Sequence, residues 1–400
     1  MRRPRVLIVH ESYQYRGGED VAVAADTSML TERGHEVCSW LVDNREIAHW
    51  PLQKRAALLW RTTWSTESYR RLGVLVGSFN PDVVHFHNTL PIISPSAIVA
   101  AHRLRLPVVM TLHNYRLLCP VGTFTRNGKV CEECRTGSLL RSILHRCYRG
   151  SAVQTATIST MLGTHRRMGT WRECVAAYIV LSEFMRGKMI EGGLPVDKLH
   201  VRSTPINTPE PRLDAAGDYV QFIGRLSEEK GVEILLELSK RLERGTLRVA
   251  GTGPLRARVA QAASSSRGGL EYLGELEHSS VLQYLSHAKV LVFPSISYEG
   301  FGLVVLEAMS LGIPIVASRI SALPEMVSDG VEGFLVEPND VSSLALRVNQ
   351  LLADDGLRRK MGAAARKRFS KHYSIDSSYS RLMEIYESAI RSAGGVGHSR

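Results

Sequence analysis

The chain has no run of about 18 consecutive apolar residues, so nothing in it reads as a membrane-spanning helix. It opens with "MRRPRVLIVH", charges followed by a short apolar run. That stretch lacks the length and small-residue cleavage site of a secretory leader and reads as a first buried strand, which predicts a cytoplasmic protein. No zinc-finger spacing, aromatic RNP motif or dominant basic tail is present, so a nucleic-acid partner is not expected. Internal repeats and long low-complexity tracts are missing too, and no acidic pair stands out as a catalytic metal site. Cysteine is scarce, at six in 400 residues, and in a reducing compartment disulfides are not expected.

What is there is enough for two hydrophobic cores. Hydrophobic residues make up 44% of the chain and charged residues 22%, the composition of a globular protein. The net charge of +11 favours acidic partners, among them nucleotide phosphates and anionic lipid. Arg55, Arg61, Arg70 and Arg71 fall in one helical stretch with Trp50, Trp60 and Trp64. Basic and aromatic side chains together suit peripheral contact with the inner face of a membrane. An ordinary solvated helix face explains them equally well.

The first half alternates β-branched runs with helical patterns. "RVLIVH", "EVCSWLV", "DVVHFH", "PVVMTLH" and "AAYIVLS" predict strands of a parallel sheet buried on both faces. "EDVAVAADTSMLTERG" predicts a helix stopped at Gly34. The stretch 203–217, with three prolines, predicts a linker. Beyond it "YVQFIG", "TLRVAG", "LEYLG", "KVLVFPS", "IPIVAS" and "GFLVEP" predict a second series of strands, with helices at 231–244 and 304–312. The expectation is an α/β protein of two doubly wound domains, 1–203 and 204–373, with a helix at 374–392 packing back across the hinge. The tail "SAGGVGHSR" predicts disorder.

Open parallel sheets bind ligands at the carboxyl ends of their strands, which selects the loops to inspect. After "YVQFIG" comes "RLSEEKG", where Arg225 and Lys230 stand at a strand-to-helix junction suited to gripping a diphosphate. A pair of surface ions beside Glu228 and Glu229 is the plainer explanation. Gly251 and Gly253 in "AGTGP" permit close approach of backbone to a ligand, and "EYLGEL" supplies a further loop at a strand end. In "YEGFGLVVLE" the acids Glu299 and Glu307 flank two glycines. Carboxylates accept paired hydrogen bonds from vicinal hydroxyls, such as those of a sugar or a ribose. Two acids at the ends and two cations between them describe a nucleotide-sugar.

"PSISYEGFGLVVLEAMSLGIPIVAS" followed by "ALPEMVSDGVEGFLVEP" resembles the donor-site signature of the family 4 retaining glycosyltransferases. "FIGRLSEEKG", "YRGGEDVAVA", "PDVVHFHNTLP" and "TLHNYRLLCP" are similar to further segments of that family, in matching order over about residues 5 to 390. The resemblance implies a GT-B fold, two facing Rossmann-like domains with the active site in the cleft between them. It implies that Glu299 contacts hydroxyls of the transferred sugar, that Glu307 holds the ribose, and that Arg225 and Lys230 neutralise the leaving diphosphate. Backbone amides at Phe301, Gly302 and Leu303 are implied at the sugar, and Gly17 and Gly18 at the cleft. His113 matches the family's active-site histidine. A hydrogen-bonded strand-end histidine is the alternative for His113, and His85 and His87, pointing the same way from one strand, fit a structural role at least as well.

Transfer of a sugar with retention of configuration, in surface polysaccharide or glycolipid assembly, is therefore expected, with a sugar or lipid-linked acceptor and no cofactor for the chemistry. A nucleotide-sugar epimerase and a non-catalytic nucleotide-sugar-binding protein are the alternatives. Four cysteines, Cys119, Cys131, Cys134 and Cys147, fall in a polar insertion at 119–147, where a structural zinc and unmetallated thiols both fit the spacing. Cys38 and Cys174 read as small buried hydrophobes.

Overall fold

The computed structural model describes residues 3–13, 17–206, 217–266 and 268–394. Most of the expected linker (207–216) and of the expected disordered tail (395–400) lies outside them. The strands in chain order are β1 (Val6–Ser12), β2 (Val37–Asp43), β3 (Val83–Phe86), β4 (Val108–Leu112), β5 (Thr125–Arg126), β6 (Lys129–Val130), β7 (Ala177–Val180), β8 (Leu199–Val201), β9 (Tyr219–Ile223), β10 (Thr246–Ala250), β11 (Leu270–Gly274), β12 (Val290–Phe293), β13 (Ile315–Ser318) and β14 (Gly333–Val336).

They form two six-stranded sheets, ordered β2-β1-β3-β4-β7-β8 and β11-β10-β9-β12-β13-β14, and a small β5-β6 hairpin. Every neighbouring pair in the two large sheets is parallel. Parallel strands need crossover helices, which cover both faces and so demand uninterrupted apolar runs. The inner strands β3, β4, β7, β12 and β13 obey and are buried throughout, as is β14 at the edge of the second sheet. The edge strand β2 buries one residue, Trp40.

By packing, the chain divides into two compact units: Met1–Thr123, Glu132–Pro205 and Ile375–Arg400 form one, and Phe124–Cys131 with Ile206–Ser374 the other. The helix Ile375–Gly394 thus belongs to the first unit. Its Leu382, Ile385, Tyr386 and Ala389 follow helical 3–4 spacing and pack with Val6, Ile8, Val83 and Val109 of the first sheet. Arg202, just past β8, fastens it: the guanidinium bonds both oxygens of Asp26 at 3.1 and 2.5 Å, and its Nε donates to Ser378 O at 3.0 Å. All three groups are buried.

In the second unit, one face of the sheet packs against the helices Val232–Ser239 and Val341–Ala353, the other against Leu303–Ser310 and Asp355–His372. Both sheets are doubly wound, as the two strand series predict. The order reverses between β1 and β3 in the first sheet and between β9 and β12 in the second, and at such a reversal the loops leaving adjacent strands diverge and open a crevice.

Candidate active site

In the second unit the reversal places the loops after β9 and β12 side by side. The β9 loop runs from Gly224 through Arg225 to a single 3-10 turn, Glu228–Lys230, and ends at Gly231. Gly231 has φ +74°, and a Cβ there would sit 2.1 Å from the Pro294 carbonyl oxygen. Only glycine satisfies both the left-handed backbone and that contact. Beside it the Ile296 amide donates to Glu229 O at 3.0 Å, so the two loops are joined through backbone.

The junction delivers Lys230 to Glu299. Lys230 Nζ donates to both carboxylate oxygens of Glu299 at 2.7 Å, and Ser295 Oγ donates to Oε1 at 2.5 Å. The Glu299 amide donates to Ser321 Oγ at 2.9 Å. The Glu299 side chain is 9% exposed and that of Lys230 24%, and the ammonium lies 5.6 Å from the Phe293 ring centroid. A charge pair this sheltered, with a third hydrogen bond, holds a defined orientation. Arg225 is exposed and pairs with no carboxylate among the described residues, so it stands as the uncompensated cation of the loop.

Gly251 and Gly253 have a use that the sequence does not disclose. A Cβ on Gly251 would lie 1.9 Å from the Gly224 oxygen, and one on Gly253 2.5 Å from the Leu226 oxygen. Their freedom lets the β10 loop press on the β9 loop, held there by Leu226 N to Thr252 O and Leu255 N to Leu226 O, each 2.9 Å. The close approach that these glycines make here is to the protein's own β9 loop.

The β12 loop ends at Gly302, the N-cap of the helix Leu303–Ser310. Phe301 and Leu303 pack against the core on that side. Glu307 lies within the helix, buried, and the loss of solvation pushes its carboxyl up to about 8. Arg225, Lys230, Glu299 and Glu307 thus all belong to the β9 and β12 connections of one sheet.

In the first unit the carboxyl ends of β1, β3 and β4 gather histidines. His113, just past β4, meets His87 from the end of β3, with Nε2 2.9 Å from His87 Nδ1 and the rings stacked at 17°. His85 and His87 lie 4.3 Å apart by ring centroid, on one side of their strand as period two requires. His85 is tied at both nitrogens, to Tyr386 OH and Thr111 Oγ1, each at 2.7 Å. Burial pushes all three down, His113 to about 3, His85 to about 4, and His87 well below the usual range, with neighbouring His10 and His85 adding to the effect on His113.

Gly17 caps the helix Gly18–Glu32, and its amide donates to Asp20 Oδ2 at 3.0 Å while Oδ1 meets His10 Nε2 at 3.0 Å. Burial raises the Asp20 carboxyl, but the bonds from His10, Ser12 and Gly17 prevail and hold it at about 2. A cavity of about 40 Å³ in this unit is lined by Glu19, His87, His113, Asn114, Arg116 and Trp171, among others. Asn114 Nδ2 donates to Glu19 Oε1 at 3.0 Å. Ser295, Ser321, Glu19 and Asn114 are the site-forming residues that sequence reasoning passed over. The adjacency of Glu19 to Gly18 and of Asn114 to His113 was the available signal.

Of the four cysteines expected to suit zinc, Cys119, Cys134 and Cys147 lie in the first unit and Cys131 in the second. The group of potential ligands that does converge among the described residues is Asp26, His85 and His87. There Arg202 occupies both Asp26 oxygens and His85 has both nitrogens engaged, so two of the three are committed to hydrogen bonds. Cys38 and Cys174 are half-buried, not fully enclosed.

Residues 205–368 match the family described as Glycosyl transferases group 1, and residues 17–204 match the Glycosyl transferase 4-like domain. The chain is 28% identical over 321 residues to a glycogen synthase of Mycobacterium tuberculosis, covering 78% of this chain and 70% of that protein. It is 30% identical over 268 residues to the phosphatidyl-myo-inositol mannosyltransferase of Mycobacterium leprae, covering 62% and 68%. Among solved structures, HepE of Anabaena in complex with UDP shares the fold with a TM-score of 0.66 at 17% identity, over 96% of this chain and all of that one.

Proposed function

The chain belongs to the family 4 glycosyltransferases of GT-B fold, and from that premise we propose that it transfers a sugar from a nucleoside diphosphate donor to an acceptor hydroxyl with retention of anomeric configuration. The Lys230–Glu299 pair at the order reversal of the second sheet carries this reading. Breaking the sugar–phosphate bond develops negative charge on the departing phosphate and positive charge on the sugar. Preorganised cations stabilise the first, and this is commonly the largest single contribution to such catalysis.

Arg225 supplies the net positive charge, because Glu299 already balances Lys230. Lys230 keeps donor capacity beyond its carboxylate partner, since an ammonium carries three protons. Glu299, oriented by Lys230 and Ser295, accepts from hydroxyls of the transferred sugar. The amides of Phe301, Gly302 and Leu303, at the start of a helix, face the same group, and Glu307 takes the ribose diol. In the first unit, Gly17 and Gly18 at the helix start and His113 are proposed as sugar-binding residues. Gly251 and Gly253 act one step removed, by shaping the β9 loop. A nucleoside diphosphate accords with the UDP in the HepE complex, and a polysaccharide or glycolipid product with the relatives named for glycogen and phosphatidylinositol. The relatives are named as synthases and transferases, and nothing among them favours an epimerase. Supplying an α-linked nucleotide-sugar and reading the anomeric proton coupling of the first product by NMR tests the stereochemistry. An α-linked product is expected, and a β-linked one would reject retention.

The acceptor is proposed to be lipid-linked, met at an anionic membrane on the cytoplasmic side. No helix among the described residues is long and apolar enough to cross a membrane. The helix Leu52–Arg61 buries none of its residues, and it exposes Leu52 by 81% and Trp60 by 61%. Lys54 sits on the Trp50 ring at 3.8 Å, while Arg55 and Arg61 are bonded to Ile47 O and Ala48 O and to Glu67. An apolar face edged by cations fits an anionic lipid surface. In co-sedimentation with phosphatidylglycerol-containing vesicles, binding is expected at low salt, reduced by 0.5 M salt and by the Leu52→Asp/Trp60→Ala double variant. No binding at low salt would reject the contact.

A further inference from the structure

His87 holds the histidine that faces the cavity. Its Nδ1 lies 2.9 Å from His113 Nε2, and its other nitrogen, Nε2, is buried with no hydrogen-bond partner among the described residues. His87 is 3% exposed and lies between two rings, His85 at 4.3 Å and His113 at 5.2 Å by centroid. His85 is itself fixed by Tyr386 and Thr111, so the stack is anchored at its base. His113 has no partner at Nδ1 among the described residues and lines the cavity.

Both rings are neutral, as burial dictates, so each carries one proton. One contact between two neutral imidazoles leaves two arrangements. If His113 donates from Nε2, then His87 must carry its proton on Nε2, a buried N–H with nothing to bond. If His87 donates from Nδ1, its Nε2 is a bare acceptor and His113 carries its proton on Nδ1. Buried orphan N–H groups are rarer than under-satisfied acceptors, which favours the second arrangement.

We propose that His87 is a positioning residue: it donates from Nδ1 to His113 Nε2 and thereby fixes His113 as the Nδ1–H tautomer, a hydrogen-bond donor toward a hydroxyl oxygen of the transferred sugar. The inference rests on the reading of His113 as a sugar-site residue. It assigns the face and polarity that His113 presents, and it makes a residue of β3's end a determinant of the reaction at β4's end.

Histidine-selective 15N NMR of the free protein reads the tautomer without any substrate. His113 in the native protein is expected as Nδ1–H, and in His87→Phe, which keeps a ring in the stack but cannot donate, as predominantly Nε2–H. An Nε2–H His113 in the native protein, or the same tautomer in both, overturns the proposal. In turnover assays His87→Phe is expected to lower kcat about 10- to 100-fold with donor KM changed less than about threefold. His87→Gln, whose amide can donate, recovers part of the loss, and it serves as the test variant should the phenylalanine fail to fold. A role confined to packing would lower Tm and leave kcat of the folded enzyme unchanged, which also overturns it. A fully active His113→Ala would remove His113 from the transfer and with it the catalytic half of the inference, whereas the NMR readout decides the positioning half by itself.

Discussion

Lys230→Ala is expected to lower kcat by about 100- to 1000-fold, the usual cost of removing a preorganised donor from developing anionic charge. The variant stays folded, because the Lys230 side chain is a quarter exposed and contributes to no core cluster. Its loss does leave the sheltered Glu299 carboxylate with fewer donors, so stability falls by about 1–3 kcal/mol. That raises a second explanation for lost turnover: Lys230 serves only to orient Glu299. The double variant Lys230→Ala/Glu299→Gln separates the two. If orientation were the whole role, neutralising Glu299 would restore stability and part of the turnover together. If Lys230 also neutralises the leaving phosphate, stability returns and kcat does not. Circular-dichroism melts and single-turnover rates on the three proteins decide, and turnover of Lys230→Ala within threefold of native would remove the residue from the mechanism.

The second large effect is a dependence of stability on pH through Glu307. Its carboxyl titrates near 8 in the folded protein because it is buried, against 4.5 in the unfolded chain. Below 4.5 both states are protonated and the group has no influence. As pH rises from 4.5 to 8, the unfolded chain releases its proton and the native state keeps it, so native stability declines through this window. The full penalty at pH 8.5 is on the order of 4 kcal/mol. Glu307→Gln removes it, so the variant's Tm advantage over the native protein should grow steadily from pH 5 to pH 8.5. Glu11, which burial also raises to about 8, slopes the same way in both proteins and cancels in the difference. A pH-independent difference would show that Glu307 is not held neutral. Above pH 8, where the carboxyl is ionised, the same substitution replaces a two-oxygen acceptor by an amide at the proposed ribose site, so donor KM measured there should rise about tenfold with a smaller change in kcat.

The two strand series were legible because a parallel sheet covered on both faces cannot tolerate polar residues in its middle, and the runs in β1, β4, β12 and β13 show it directly. β8 was not legible: Leu199–Val201 is three residues with one buried, too short for periodicity to register. The β5–β6 hairpin, two residues a side and half exposed, escaped for the same reason. Arg225, Lys230, Glu299 and Glu307 were identifiable from their loops, since strand ends are where ligands go. That Lys230 and Glu299 bond one another was not, because it depends on β9 and β12 being neighbours across 69 residues of chain. The pairing of His87 with His113 is of the same kind, set by β3 lying beside β4. Gly251 and Gly253 mark the opposite limit. Glycine announces close approach but not what approaches, and here it is the neighbouring loop.

The helix Ile375–Gly394 closes the core of the first unit, though some 170 residues of the second are translated before it. A ribosome must therefore translate the whole second unit before Leu382 and Ile385 can cover Val6 and Val83, and before Tyr386 can reach His85. During that interval the nascent amino-terminal half carries an uncovered apolar stripe, a natural client for a chaperone. Chains released early, short of the last twenty residues of that helix, would be the ones that aggregate.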